Sequence, residues 1–513
     1  MAWVAGVFSH LAFFRIGEHH LYGMRYALTA VGSLTFSIFL HSQLSDRLIL
    51  ESVIWSSSLS GFYVAGIYAS LVVYRCIFHP LRNIPGPLGC RISSSWFTTH
   101  LVKQDAFRQL EKLHSRYGPF LRIGSNDISV AHPKAVQAIY GPGSKCRKAA
   151  WYDLVYPMVS LQTTRDKSLH DQRRRLWSGA FGDRNMRDYE KRMVRYRALL
   201  VKAIDETKNQ PFDVTKWFNL YTFDVMGDLA FGASFGMLET SKEHEAIRLL
   251  NSGLMPLAYM FPAWFFRYCT SQMEERIKIK SSNPDIMSCL LKPLNNQTPT
   301  GIDYMLLQGD SKLIVVAGSD TTSTTLIYIF RFLVEHPQHV DVLRTEFKNL
   351  ARTELGDYQP PDLAELKHLN GVINEALRLC PPVPSALPRV TPREGLTIDG
   401  TFIPGNTTLY CPQYVLGRSP ECYSKPEEFI PERWYSRPDL IQDASAFAPF
   451  SAGPYGCIAR PLALLNIRAT VARILVDYDV WLAPGVSLNE FDQGLKEHFT
   501  LAPAPLKLCF NKL

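Results

Sequence analysis

The stretch Phe450-Ser451-Ala452-Gly453-Pro454-Tyr455-Gly456-Cys457-Ile458-Ala459-Arg460 decides how this chain is read. It places two glycines and a proline within residues 453–456, reaches a cysteine, and runs into the helix-like PLALLNIRATVARILV. Glycine supplies backbone angles that other residues avoid and proline fixes its own, so the segment specifies a rigid turn. A cysteine between such a turn and a helix start lies near the positive end of the helix dipole. Neighbouring N–H groups can point at its sulfur there, and both effects favour thiolate. A thiolate held in this way suits an axial ligand to a metal, a haem iron among them. A buried structural cysteine would suit the same loop. The rest of the chain decides between the two.

Of 513 residues, 46% are hydrophobic and 12% aromatic, enough for a large core, and the 20% charged residues exclude a mostly disordered chain. The net charge of +8 is diffuse. It suits an acidic partner or a membrane surface and does not indicate nucleic acid. Ten cysteines are scattered without a CxxC, which argues against a disulfide scaffold and against a zinc site built from them.

Residues 26–45 and 52–74 carry no formally charged side chain, and the second window ends GFYVAGIYASLVVY. About 20 mostly apolar residues cross a bilayer as a helix. The second window meets that well; the first is weakened by His41 and Gln43. Met1 to Phe14 is apolar but short, as in an interfacial or signal-like segment. Arg75, His79 and Arg82 follow, and under the positive-inside rule they put the remainder in the cytosol. The expected organisation is a membrane anchor over residues 1–82, with spans near 26–45 and 52–74, and a body over 83–513. Between them Pro85-Gly86-Pro87 makes a stiff bend.

The body reads as mainly α with small β-sheets. An amphipathic helix runs from Asp105 to Tyr117, and alternating runs follow at 120–124 and 127–131. His170 to Phe181 is a helix with clustered arginines, in which His170 and Arg174 share a face. That is either a solvated face or a site for a buried carboxylate. Residues 182–300 read as helical without a catalytic motif, with an aromatic run from Met255 to Tyr268. The longest helix spans Tyr304 to Glu335. Its segment Val315 to Thr325 holds six hydroxyl residues, an acid and a glycine, and predicts a local opening that frees a carbonyl. A helix over 366–379 sets Glu375 and Arg378 three apart, an ordinary helical ion pair when taken alone. Arg389, alternating runs at 396–398 and 401–403, and a charged proline-rich loop containing Arg433 complete the body.

Together these motifs resemble the cytochrome P450 family, the haem-thiolate monooxygenases, over essentially all of the chain after the anchor. The family's F-x-x-G-x-R-x-C-x-G falls on Phe450, Gly453, Cys457 and Ala459. Its A/G-G-x-D/E-T falls on Ala317, Gly318, Asp320 and Thr321, and its E-x-x-R on Glu375 and Arg378. Its P-E-R loop supplies Arg433, and its W-x-x-x-R aligns with His170 and Arg174. The resemblance implies the cytochrome P450 fold after one or more transmembrane helices, and haem b ligated by Cys457. It also implies a proton-delivery pair in Asp320 and Thr321, and an ion network of Glu375, Arg378 and Arg433. His170, Arg174 and Arg389 become the candidates for the haem propionates.

The same resemblance implies insertion of one atom of O2 into a hydrophobic small molecule, as in filamentous-fungal secondary metabolism. Electrons would come from NADPH through NADPH–cytochrome P450 reductase, with cytochrome b5 as a further donor. The enzyme would sit in the endoplasmic reticulum membrane facing the cytosol. Candidate pocket residues are Val316, Ser319, Val383, Ser385, Ala386 and Phe499. The alternatives are a haem-thiolate isomerase or dehydratase that does not use O2, and a non-catalytic membrane haem-binding protein. Three departures stand out: Tyr455 replaces a basic residue, Ala459 replaces a glycine, and the helical stretch from Trp264 to Pro284 is short.

Overall fold

The computed structural model describes residues 1–45, 48–244, 263–279, 285–294, 297–385 and 387–513. The chain divides into two compact units. The first holds residues 1–98 and 121–128, the second residues 99–120 and 129–513.

In the first unit the apolar windows form helices α1, Gly23–Ser45, and α2, Ile49–Val73. The helical runs His20–Ser45 and Ile49–Phe78 contain 26 and 30 residues. At 1.5 Å per residue they reach about 39 and 45 Å, longer than a hydrocarbon core of about 30 Å. Phe36, Phe39 and Phe62 project from them exposed, as lipid-facing side chains would. The two helices meet through polar contacts, Ser37 Oγ donating to Ser56 Oγ at 3.0 Å and His41 Nδ1 lying 3.0 Å from Ser52 Oγ. The N-terminal apolar segment is a helix, Ala2–Ser9, seated on α2 through a pair of glycines. A Cβ on Gly6 would lie 2.1 Å from the Tyr63 carbonyl oxygen, and one on Gly66 would lie 2.1 Å from that of Trp3. Small residues let helix backbones approach this closely in a membrane.

In the second unit the predicted elements form largely where expected. Ala106–Tyr117 is a helix ended by Gly118 at φ +90°, and Leu396–Ile398 pairs antiparallel with Thr401–Ile403. Helix α3, Lys167–Ser178, starts at Asp166, whose carboxylate accepts from the Leu169 N–H. Helix α4, Val214–Phe231, is capped in the same way by Asp213 and closed by Gly232 in the left-handed region. Helix α5, Gly301–Glu335, runs through the core and packs along α4, with Phe218 and Phe330 rings 5.4 Å apart. It is long and apolar enough to cross a membrane, but two thirds of its apolar window is buried in protein. Helices α6, Gln338–Phe347, α7, Lys367–Leu379, and α8, Arg460–Asp477, join it in one hydrophobic cluster.

Two small sheets flank these helices. Strand β1, Arg147–Lys148, pairs antiparallel with β2, Arg389–Val390, which pairs with β3, Thr408–Tyr410. At the other side Lys507–Lys512 lies between Phe212–Asp213 and Tyr478–Leu482. Of the aromatic run Met255–Tyr268, residues 255–262 lie outside the described residues, as do 280–284 of the short stretch.

The expected opening in α5 is absent: helical geometry is continuous from Gly301 to Glu335. The hydroxyls instead turn back onto their own helix. Thr321 Oγ1 donates to the Ala317 carbonyl at 2.8 Å, Thr322 to that of Gly318 at 2.9 Å, and Thr325 to that of Thr321 at 2.8 Å. Such bonds satisfy the hydroxyls without breaking the ladder. Gly318 serves the packing of α4, since a Cβ there would meet the Met226 thioether at 2.6 Å.

Candidate active site

A cavity of about 650 Å³ opens inside the second unit. It brings Cys457, Phe450, Asp320, Thr321, His170, Arg174 and Arg389 onto one wall system. The seven come from four segments far apart in sequence, so only the fold assembles them.

The cysteine loop is locked from within and from outside. The Cys457 N–H donates to the Phe450 carbonyl at 2.8 Å, and the Gly456 N–H to that of Gly453 at 3.0 Å. Gly453 sits at φ +63°, and a Cβ on it would meet the Tyr140 carbonyl oxygen at 2.2 Å, so this position requires glycine. Arg174 Nη1 donates to the Gly456 carbonyl at 2.8 Å and ties α3 to the loop. Ala459 has ordinary angles as the residue before α8 and lines the cavity, so its methyl is accommodated.

The Cys457 residue is exposed by surface area, yet protein surrounds it. The two agree because its open surface is cavity wall. Burial pushes its thiol above the ordinary value, against the pull of the Ala459 and Arg460 N–H groups and of Arg174. The sequence reading gave the helix dipole and the N–H donors more weight than desolvation. In the fold desolvation wins, so a bound cation would be needed to draw the proton off.

On the cation side, Arg389 is buried with Nη1 donating to the Tyr152 hydroxyl at 2.7 Å and to the Pro388 carbonyl at 3.1 Å. Its guanidinium lies 5.0–5.6 Å from the rings of Tyr140, Tyr152 and Tyr455. Its Nε has no hydrogen-bond partner among the described residues. Sequence reading missed Lys148, which pairs across β1 and β2 with Arg389. Lys148 Nζ lies 5.0 Å from the Tyr455 ring centroid and donates to the Leu161 and Gln162 carbonyls at 3.0 and 2.7 Å. Burial first, then Arg389 and Arg174, lower its ammonium to about 7. A two-residue strand carries no signal for this. The clue was Tyr455, whose missing positive charge is met by cations from other elements resting on its ring.

His170 also lines the cavity, its ring edge-on to Tyr455 at 4.5 Å, and burial lowers it to about 4. It is therefore a neutral hydrogen-bonding group at physiological pH and not a cation. The three arginines of α3 divide. Arg173 pairs with buried Asp310, which also accepts from Trp177 Nε1 at 3.1 Å and the Leu161 N–H at 2.8 Å. Arg174 faces the cavity and Arg175 faces solvent.

These groups fit a haem. Lys148, Arg174 and Arg389 converge without a carboxylate among the cavity-lining residues near them, and the Arg389 Nε is orphaned. Like charges gathered in this way call for an anion, and the two carboxylates of a haem would supply it. The remaining wall is largely apolar, with Leu377, Leu462, Ala463, Ile467 and Phe450 available to a flat ring.

On α5, Asp320 has no hydrogen bond or ion pair to a described residue, and burial raises its carboxyl to about 7. Of the candidate pocket residues, Val316, Val383 and Phe499 line the cavity. Ser319 does not: it is fully buried against α4, its hydroxyl donating to the Thr222 carbonyl at 3.3 Å. Ser385 turns away, donating to Glu497 Oε2 at 2.7 Å. Ala386 lies outside the described residues.

Glu375, Arg378 and Arg433 meet at zero exposure for all three side chains. One carboxylate accepts five bonds: two from Arg378 at 2.8 and 2.9 Å, one from Arg433 at 2.8 Å, and those of the Trp434 indole and the Ile430 N–H at 2.9 Å. The remaining guanidinium hydrogens go to carbonyls, Glu428 for Arg378 and Ser424, Lys425 and Leu440 for Arg433.

Comparison with known proteins identifies the family. Residues 85–510 match the family Cytochrome P450. A tryprostatin B 6-hydroxylase of Aspergillus fumigatus is 44% identical, over 98% of this chain and 94% of its own length. A cytochrome P450 monooxygenase of Aspergillus versicolor is 42% identical, over 97% and 95%. One of Phaeosphaeria nodorum is 41% identical, over 89% and 100%. With this match across most of its length, the chain belongs to the cytochrome P450 family of haem-iron monooxygenases.

Proposed function

We propose that this protein is a membrane-anchored monooxygenase that hydroxylates an apolar heteroaromatic product of fungal secondary metabolism. The observation that carries the reading is the single apolar cavity lined at once by Cys457, the Asp320–Thr321 pair and the Lys148/Arg174/Arg389 group. The substrate class rests on the relatives that act on tryprostatin B and on Trp151, Leu154, Val316, Val383 and Phe499 in the cavity wall.

Haem b bound through Cys457 supplies oxygen activation, with electrons from NADPH through its reductase. The chain's own groups do the rest. Arg389, Arg174 and Lys148 hold the carboxylates, and Tyr455 and His170 pack between them. Asp320 keeps a proton on its carboxyl up to about pH 7 because burial disfavours the charge. Thr321, next in the chain and lining the same cavity, releases its hydroxyl from the Ala317 carbonyl to take that proton inward. Residues 1–82 anchor the enzyme in the endoplasmic reticulum membrane and residues 83–513 work on its cytosolic side, as Arg75, His79 and Arg82 indicate.

The test is the partition of reducing equivalents between product and peroxide, with tryprostatin B as the trial substrate. Thr321→Ala is expected to send most of them to peroxide. Asp320→Asn should slow product formation by roughly 10²-fold or more, the usual worth of a positioned proton donor. Because a raised carboxyl is protonated below its pKa, wild-type coupling should hold below about pH 7 and decline above it. Asp320→Asn should be flat with pH. Unchanged partition in Thr321→Ala would overturn the proton-delivery role.

A further inference from the structure

Away from the cavity, helices α6 and α7 and the 3-10 turn Pro431–Trp434 bring together His339, His368 and Glu432. One imidazole nitrogen from each histidine and one Glu432 oxygen lie within 4.8 Å of one another. The histidines are 7% and 1% exposed. Nδ1 of His339 and Nε2 of His368 have no hydrogen-bond partner among the described residues. Buried polar nitrogens of this kind are nearly always satisfied, so two orphans in one cluster need an explanation.

An ordinary ion pair does not provide it. His339 Nδ1 is 3.6 Å from Glu432 Oε1 and His368 Nδ1 is 4.0 Å from it, both beyond hydrogen-bond length. The 3.6 Å separation of His339 Nδ1 and Glu432 Oε1 is close to the edge of a zinc tetrahedron, about 3.4 Å for bonds of about 2.05 Å. His368 Nδ1 lies 2.9 Å from the Tyr435 hydroxyl. If it donates there, the lone pair is on Nε2, the second-shell arrangement that orients metal-binding imidazoles. The turn is pressed onto α7, since a Cβ on Gly371 would meet the Pro431 carbonyl at 2.6 Å. The Phe429 ring, edge-on to His339 at 5.6 Å, forms a wall. Glu432 is 32% exposed, which leaves a way in for an ion and room for water on the remaining positions.

We propose that His339, His368 and Glu432 bind one divalent transition-metal ion of the zinc class. Two imidazoles and a carboxylate are the donor set such ions favour. The ion clamps α6, α7 and the Pro431–Trp434 turn, and through Glu432 it steadies Arg433 in the ion network. The role is structural, distinct from the haem site.

The test uses haem-loaded full-length protein, stripped with a chelator and titrated with Zn²⁺ alone by calorimetry, with haem absorbance confirming that each sample is intact. One saturable equivalent is expected, with a higher melting temperature when it is filled. Glu432→Gln and His339→Gln should each weaken binding roughly tenfold or more. If His339→Gln does not fold, Glu432→Gln, at a partly exposed position, decides alone. No saturable equivalent in the wild type, or unchanged affinity in Glu432→Gln, would overturn the site and assign any zinc uptake to surface histidines.

Discussion

Serine in place of Cys457 is expected to abolish oxygenation while the chain still folds. The loop geometry does not depend on the sulfur. It is set by the Cys457 N–H to Phe450 bond, by Gly453 fitted against Tyr140, and by Arg174 on the Gly456 carbonyl. None of these is lost in the variant, and serine is smaller than the residue it replaces. What is lost is a thiolate, whose electron release a neutral hydroxyl cannot reproduce. The expected outcome is a melting profile of the haem-free chain close to wild type, with product formation below detection. Measurable product from Cys457→Ser with the same substrate would mean that another group is the ligand. A chain that fails to fold would mean that the sulfur carries packing that the loop contacts do not show.

Glu375→Gln acts at the other extreme, on folding. Among the described residues the carboxylate is the only anion paired with the two fully buried guanidiniums, and it accepts five hydrogen bonds. An amide of the same shape offers one acceptor oxygen and points N–H hydrogens at donors. Two buried cations are then left without a counter-charge, at a cost of roughly 3–5 kcal/mol. Domains of this kind are stable by about 5–15 kcal/mol in total. Expression should therefore yield little haem-loaded protein, and a urea or thermal melt of what remains should show the loss. Near-normal haem content and stability would show that the carbonyls of Gly417, Pro426 and Glu428 suffice for Arg378.

The motifs were legible because each is a local arrangement with a chemical reason. Gly453 is written into the loop because no Cβ fits beside Tyr140. Glu375 and Arg378 are one helical turn apart, and Arg433 is the third member by resemblance. The N-terminal helices were legible from the absence of charge alone. What was not legible depends on neighbours distant in sequence. The hydroxyl-rich part of α5 was expected to open, but the sequence does not show that α4 lies against Gly318 or that each threonine satisfies itself at i−4. Ser319 and Ser385 were placed in the pocket by proximity, and partners in other segments turn them away. Lys148 was missed because its relation to Arg389 is a strand pairing across more than 200 residues. The thiolate preference of Cys457 was overestimated because burial is a property of the fold.

The most direct measurement is the absorption spectrum of the purified wild-type protein after reduction under carbon monoxide, which needs no knowledge of the substrate. A haem held in this cavity by the Cys457 thiolate gives the strongly red-shifted ferrous–CO band that marks thiolate ligation. A ferrous–CO band at the unshifted position, in intact protein with full haem content, would contradict Cys457 ligation and with it the monooxygenase reading.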